Sequence, residues 1–145
     1  MRWLLAELTV LAMLAAACAG RSPAGTPAPD PAVADRIALL AASAVEVDGA
    51  PGQADTLYSV DAEIIANGRR RTGSPRFAGV GERGRVVVGS TRVDVVGEFA
   101  WASLRYQWFS ADENLITEGQ ATLVMLRGPG TASWRIVHAH SSQGR

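Results

Sequence analysis

Apolar positions recur with two different periods along the chain, and the change divides it into a helical part and a strand-forming part. In residues 32–47 the apolar side chains lie at helical spacing, which predicts one amphipathic helix. The core-facing positions of this helix are Val33, Ile37, Leu40, Ala41 and Ala44. A short second helix is predicted over residues 54–60, with Leu57 and Tyr58 facing the core.

Strand patterns dominate the rest of the chain. Residues 62–66 are β-like and end at a turn marked by Asn67 and Gly68, whereas residues 69–84 are rich in Gly and Pro and predict no long element. Four runs rich in β-branched and aromatic residues follow, at residues 85–96, 98–110, 115–127 and 133–141. Their connections have hairpin lengths, so the pattern predicts an antiparallel meander and an α+β fold.

The run at residues 98–110 is apolar on both faces of the predicted strand, because successive side chains alternate between faces. One face holds Phe99, Trp101, Ser103, Arg105, Gln107 and Phe109. The other holds Ala100, Ala102, Leu104, Tyr106 and Trp108. We therefore expect one face to line the interior and the other to pack against a second copy of the chain, which predicts a homodimer.

The N-terminus has the pattern of a secretory signal. Arg2 precedes an uncharged apolar run over residues 8–17, which is shorter than the roughly 20 residues needed to cross a bilayer. Residues 14–18 resemble a lipobox, which predicts cleavage after residue 17 and lipidation of Cys18. The alternative is a chance cysteine beside an ordinary cleavage site.

Residues 18–31 are rich in Pro, Ala and Gly and read as a tether. The predicted organisation is a signal peptide at 1–17, this tether, one domain at 32–142 and a short tail at 143–145. We expect an exported protein of the periplasm or cell surface, bound to a membrane through its lipid anchor.

Charge and cysteine content exclude several classes of function. The chain has 14 basic and 14 acidic residues and no visible basic patch, so no nucleic-acid partner is expected. Cys18 is its single cysteine, which leaves no internal disulfide and no thiolate cluster for zinc. No cofactor is predicted.

Two segments carry a family resemblance: LYSVDAEIIANG near the start of the domain and ASWRIVHAHSS at its end. They resemble SnoaL-like domains of the nuclear-transport-factor-2-like superfamily, including the calcium/calmodulin-kinase association-domain type. The resemblance covers most of residues 33–142 and departs at residues 69–84. It implies a cone-shaped, strongly curved antiparallel sheet packed on N-terminal helices, a fold that serves isomerases, cyclases, dehydratases and assembly modules.

Two histidines lie in the second of these segments. Strict alternation places His138 and His140 on one face with Trp134 and Ile136, where either imidazole could act as a general base. Alternatively, they hydrogen-bond neighbouring strands or line a subunit interface. No metal site is predicted, because a third ligand would have to be distant: Asp61, Glu63 or Glu118.

The resemblance to ketosteroid isomerases implies a carboxylate base on the first strand and a tyrosine on the first helix. The base position falls near Ala66, and residues 32–47 contain no tyrosine. The isomerase machinery is therefore expected to be absent, and Asp61 is read as a turn cap.

A polar row of Glu118, Gln120 and Thr122 is flanked by Ile116 and Val124, and we expect it to point into the cone beside His138. The candidate ligand-binding residues are Tyr58, Trp101, Trp108, Gln120, Thr122, Trp134, His138 and His140.

These residues predict binding of a small apolar or amphipathic molecule in the cone, or assembly, without a clear catalytic apparatus. One alternative is a lyase, isomerase or hydrolase that uses His138 or His140 as base, with Gln120 or Trp108 orienting the substrate. Another is a dimeric adaptor whose cone is filled.

Overall fold

The computed structural model describes residues 30–49 and 55–144, which form one helix, a single 3-10 turn and six strands. The signal peptide, Cys18 and most of the predicted tether lie outside the described residues. The elements are helix α1 (Pro31–Glu46), the 3-10 turn Asp55–Leu57, and strands β1 (Tyr58–Ala66), β2 (Arg69–Arg71), β3 (Gly84–Val96), β4 (Phe99–Ser110), β5 (Ile116–Arg127) and β6 (Trp134–Gln143). In the part of the chain that the structure describes, no helix is long and apolar enough to cross a membrane.

Helix α1 confirms the predicted amphipathic helix. Asp30 caps its start by accepting a hydrogen bond from the Ala32 N–H at 3.0 Å, and Pro31 occupies the first helical position. The buried face consists of Ile37, Ala41, Ala44 and Val45. It packs on β3 and β4, and two of its four buried positions are alanines, which let the helix approach the sheet closely.

The predicted second helix at residues 54–60 is wrong. A single 3-10 turn ends at Leu57, and β1 already begins at Tyr58. Val60 and the Ile64–Ile65 pair favour a strand, and pairing with β6 uses the backbone groups of this segment. Tyr58 is buried, as expected, but from a strand. Within the described residues, one α-helix rather than several therefore packs on the sheet.

The sheet has the order β2-β1-β6-β5-β4-β3. Strands β3 to β6 form the predicted antiparallel meander. Strand β1, however, runs parallel to β6, so the curved sheet is mixed rather than wholly antiparallel. The predicted turn is confirmed at Asn67 and Gly68, whose φ angles of 50° and 73° suit a tight hairpin into the unpredicted strand β2.

The two faces of the sheet differ in what covers them. We call the face that contacts α1 the inner face and the opposite one the outer face. On β4 the inner face carries the predicted set of Ala100, Ala102, Leu104, Tyr106 and Trp108, all buried. Phe77 and Val80, from the segment between β2 and β3, complete this core.

Candidate functional site

A β-bulge in β6 decides where the two histidines point. Met125 of β5 lies opposite Ile136 and Val124 lies opposite His138, which leaves Val137 as an extra residue between them. The extra residue reverses the alternation. Trp134 and Ile136 are therefore buried on the inner face, whereas His138 and His140 lie on the outer face. The expectation that all four share one face is wrong.

The polar row of β5 also lies on the outer face. Glu118, Gln120 and Thr122 are exposed. Ala121 and Leu123, which alternate with them along β5, are buried. The inward orientation expected for this row is wrong, because β5 pairs in register with β4 and Gln120 stands opposite the outer-face residue Arg105.

The candidate ligand-binding residues consequently divide into two groups. Tyr58, Trp108 and Trp134 are buried on the α1 side of the sheet. The outer face holds Trp101, Gln120, Thr122, His138 and His140. The sheet lies between the two groups.

The inner face is occupied by side chains of the core. Tyr106, Leu123, Met125 and Ile136 have almost no exposed surface, and the ring of Phe77 meets that of Tyr106 edge-on at 6.2 Å between centroids. The hydroxyl of Tyr106 donates to the carbonyl of Ala78 at 2.6 Å, and burial raises the pKa of Tyr106 to about 12. These contacts fill the space where a cone-bound ligand was expected.

On the outer face, the two histidines lie beside polar and charged side chains. The Nδ1 of His138 lies 3.7 Å from a carboxylate oxygen of Glu63, which is too long for a hydrogen bond. His140 lines an open groove of about 430 Å³ across β3 to β6, which we call the central groove; its polar lining also includes Arg92, Ser103, Arg105, Gln120 and Thr122. This arrangement offers hydrogen bonds and positive charge, and the carboxylate nearest to His138 lies within ion-pair distance without forming a hydrogen bond.

The histidines and nearby carboxylates are not arranged as metal ligands. Across residues 30–49 and 55–144, no group of three or more His, Cys, Asp or Glu side chains is arranged to hold a metal ion. The distant carboxylates Asp61, Glu63 and Glu118 do not complete a site with the histidine pair.

A buried polar cluster that sequence reasoning missed lies between the end of α1 and the segment after β2. Asp48 is fully buried, and its carboxylate accepts the Arg76 N–H at 2.7 and 2.8 Å and the Phe77 N–H at 2.8 Å. The Ser74 hydroxyl also donates to it at 3.1 Å. Burial raises the pKa of Asp48, although these hydrogen bonds oppose the shift.

Arg76 connects this cluster to β1. Its guanidinium pairs with Asp55 and lies over the ring of Tyr58, with Cζ 4.8 Å from the ring centroid. The Tyr58 hydroxyl is buried and has no hydrogen-bond partner among the described residues. Burial raises the pKa of Tyr58, and the negative charge of Asp48 adds to the effect. The hydroxyl therefore stays protonated at neutral pH.

Beside this cluster runs an open groove of about 560 Å³, which we call the edge groove. It follows β1 and the hairpin to β2 at one edge of the sheet. Its lining residues are Asp55, Tyr58, Ser59, Val60, Asp61, Ala62, Ile64, Arg70, Arg71, Thr72 and Arg76.

Comparison with known proteins gives structural matches only. No protein-family model matches the chain, and no curated protein sequence does. Among solved structures, it resembles a nuclear transport factor 2-like superfamily protein from Salmonella enterica serovar Typhimurium, with a TM-score of 0.57, 20% identity and coverage of 79% of this chain and 92% of the other.

Two further structures agree. An NTF2-like protein with a cystatin-like fold from Novosphingobium aromaticivorans has a TM-score of 0.59 and 19% identity, over 75% of this chain and 80% of the other. The association domain of C. elegans CaMKII has a TM-score of 0.51 and 14% identity, over 77% and 92% of the two chains. The chain has the nuclear-transport-factor-2-like fold. At these identities the likeness concerns the fold, and function must be argued from the sites.

This nuclear-transport-factor-2-like domain departs from the predicted pattern where the resemblance was poorest. Residues 72–83 form turns and bends without a helix. They nevertheless contribute Phe77, Ala78 and Val80 to the core and Arg76 to the buried cluster. The Gly-rich segment therefore covers part of the inner face in place of a longer helix.

Proposed function

We propose that this chain is an exported, lipid-anchored assembly domain that pairs with a second copy through its outer sheet face. The observation that carries the proposal is a set of large apolar side chains exposed on that face: Phe99 (56% exposed), Ile116 (54%), Trp101 (38%) and Leu126 (36%). Helix α1 packs on the inner face, and among residues 30–49 and 55–144 no element packs over these outer-face side chains. Removing apolar surface from water drives association.

The apolar residues lie at both ends of the face. Val96, Phe99 and Leu126 stand side by side on β3, β4 and β5, with Trp101 beside them. At the other end Phe109 lies opposite Ile116, and the guanidinium of Arg85 covers the Phe109 ring at 4.1 Å. In a two-fold dimer both copies use the same patch, so the apolar ends of one copy can pack against the apolar ends of the other.

The middle of the face is polar and suits the same arrangement. Hydrogen bonds already join its strands, with the Gln107 amide donating to Glu118 at 2.9 Å and the Gln120 amide to Ser142 at 3.3 Å. Protein interfaces contain direct hydrogen bonds as well as apolar contacts. The similarity in fold to a domain named for association supports this choice of partner.

The enzymatic alternative lacks comparable support. A lyase, isomerase or hydrolase using His138 or His140 would have to act on the exposed outer face, where closure by a second copy would cover the base. Ligand binding in the cone would require the core to open. Assembly makes neither demand.

We expect Trp101→Glu to weaken the dimer by at least about thirtyfold, the factor that corresponds to a 2 kcal/mol interface anchor. Sedimentation velocity of the chain carrying Cys18→Ser, which removes the lipidation site, measures the change. Leu39→Glu is the matched control, since Leu39 is a 70% exposed apolar residue on α1 rather than on the outer face.

A chain that remains monomeric at about 100 µM, well above the dissociation constant of a specific interface, contradicts the proposal. So does a Leu39→Glu variant that dissociates as readily as Trp101→Glu. In either case the exposed aromatic residues would need a different partner.

The anchoring part of the proposal has its own test. Mass spectrometry of the membrane fraction should detect a mature chain that begins at acylated Cys18, and Cys18→Ser should release the protein from the membrane. A soluble wild-type chain that begins at another residue would remove the anchor and leave the pairing proposal intact.

A further inference from the structure

We infer that the edge groove binds a small organic monoanion, a carboxylate with an apolar body, through Tyr58, Arg71 and Arg76. This site is separate from the outer sheet face. It combines a buried hydroxyl without a partner, a fixed guanidinium, a second guanidinium at the rim and an apolar floor.

The Tyr58 hydroxyl is a buried donor in a residue that borders the edge groove. Tyr58 is only 8% exposed and lines the edge groove, and its hydroxyl has no hydrogen-bond partner among the described residues. Leaving a buried hydroxyl unsatisfied costs roughly 1–3 kcal/mol. The hydroxyl itself has almost no accessible surface, so a ligand oxygen would accept from it, and recover that cost, only after a small movement of the groove wall.

Arg76 supplies a guanidinium that is already held in place. Arg76 is 8% exposed, and its backbone N–H donates to Asp48. Its guanidinium pairs with Asp55 and stacks on the Tyr58 ring. A guanidinium has five N–H donors. Contacts to Asp55 and Ser74 occupy only part of this set, which leaves donors for a carboxylate.

The charges that line the groove favour a ligand with one negative charge. Three arginines and two aspartates line it, so the lining carries a net charge of 3 − 2 = +1. One positive charge favours a singly charged anion, because Asp55 and Asp61 repel a dianion such as phosphate.

Arg71 stands opposite the buried Ile64 on the hairpin, which places it on the inner side of the groove rim.

The floor and size of the groove indicate the rest of the molecule. Ala62 and the small exposed parts of Ile64 and Tyr58 give the groove a limited apolar surface, and its volume of about 560 Å³ lies within the range of small-molecule sites. An aliphatic or aromatic body would lie on this floor while its carboxylate reaches the two arginines.

Benzoate is the probe, and titration is followed by ¹H–¹⁵N NMR of the chain carrying Cys18→Ser. We expect saturable shifts at the backbone amides of Tyr58, Arg71 and Arg76. Arg71→Gln should weaken binding at least about tenfold, the usual value of one charge-assisted bond. Arg69→Gln is the matched control, because Arg69 is an exposed arginine of the same strand that does not line the groove.

Tyr58→Phe should weaken benzoate binding about fivefold or more without lowering stability, since the hydroxyl loses no partner in the free protein. Inorganic phosphate should bind more weakly than benzoate. The inference is overturned if benzoate gives no saturable shifts at about 10 mM, a concentration far above useful affinity. Equal weakening by Arg69→Gln and Arg71→Gln, or equal binding of phosphate, also overturns it. The oligomeric state measured on the same samples reports independently on the outer face.

Discussion

Replacing Asp48 with alanine is expected to lower the free energy of unfolding by about 3 kcal/mol, the sum of two orphaned buried N–H groups. The carboxylate is the acceptor for the backbone N–H groups of Arg76 and Phe77, both in buried residues. Without it, both backbone donors lose the acceptor that they have in the folded protein. Urea denaturation monitored by tryptophan fluorescence measures the loss, with the slope of the transition unchanged.

Asp30→Ala is the matched control, because Asp30 also caps a backbone N–H but does so at the exposed start of α1. Its loss should cost only about 1 kcal/mol, as is usual for an N-cap. Asp48→Asn keeps one acceptor oxygen and should give an intermediate result. If Asp48→Ala costs no more than Asp30→Ala, the buried cluster does not hold the segment after β2 in place.

Gly119→Ala is expected to destabilise the domain by about 3 kcal/mol, the upper part of the usual range for an overpacked core. Gly119 lies in β5 directly opposite Tyr106 of β4. An added Cβ would overlap the ring and hydroxyl of Tyr106, whose bond to the Ala78 carbonyl holds it in position. Thermal and urea denaturation measure the change.

Gly89→Ala controls for the general effect of replacing a strand glycine. Its added Cβ would make only an ordinary contact, 3.5 Å from the carbonyl oxygen of Arg105. We expect its stability to change by less than about 1 kcal/mol. In a Tyr106→Leu background, Gly119→Ala should cost much less, because the overlapping atoms are gone. A similar cost in both backgrounds would exclude steric overlap as the cause.

Alternation alone predicted the best-defined strand correctly. On β4 the five residues predicted to share one face, Ala100, Ala102, Leu104, Tyr106 and Trp108, are all buried. Their grouping could be predicted because the alternation continues without a bulge over the twelve residues of the strand. The boundaries of β3, β5 and β6 were also close, since Gly and polar residues mark the hairpins between them. The hydrophobic periodicity and the turn residues were therefore sufficient to predict most of the strands.

The candidate site was less predictable, because side-chain direction depends on register. One extra residue at Val137 moved His138 and His140 to the opposite face from Trp134, and nothing in the local pattern signals this bulge. The orientation of Gln120 depended likewise on pairing with β4. A period-two pattern defines two faces but does not say which one is covered.

Long-range polar contacts were not readable at all. Asp48, Asp55, Tyr58 and Arg76 come from separate segments, and Arg76 lies in the stretch with the weakest pattern. An aspartate after a helix is most simply read as part of a turn. Only the tertiary structure reveals that its carboxylate is a buried acceptor beside an open groove.

The position of β6 between β5 and β1 has a consequence for the order of folding. The strand that leaves the ribosome last of the six occupies an internal place in the sheet, so the β1–β2 hairpin has no neighbour until residues 134–143 are available. Contacts between strands as far apart in the sequence as β1 and β6 form slowly. The β1–β2 hairpin therefore joins the sheet only after the final strand has been synthesised.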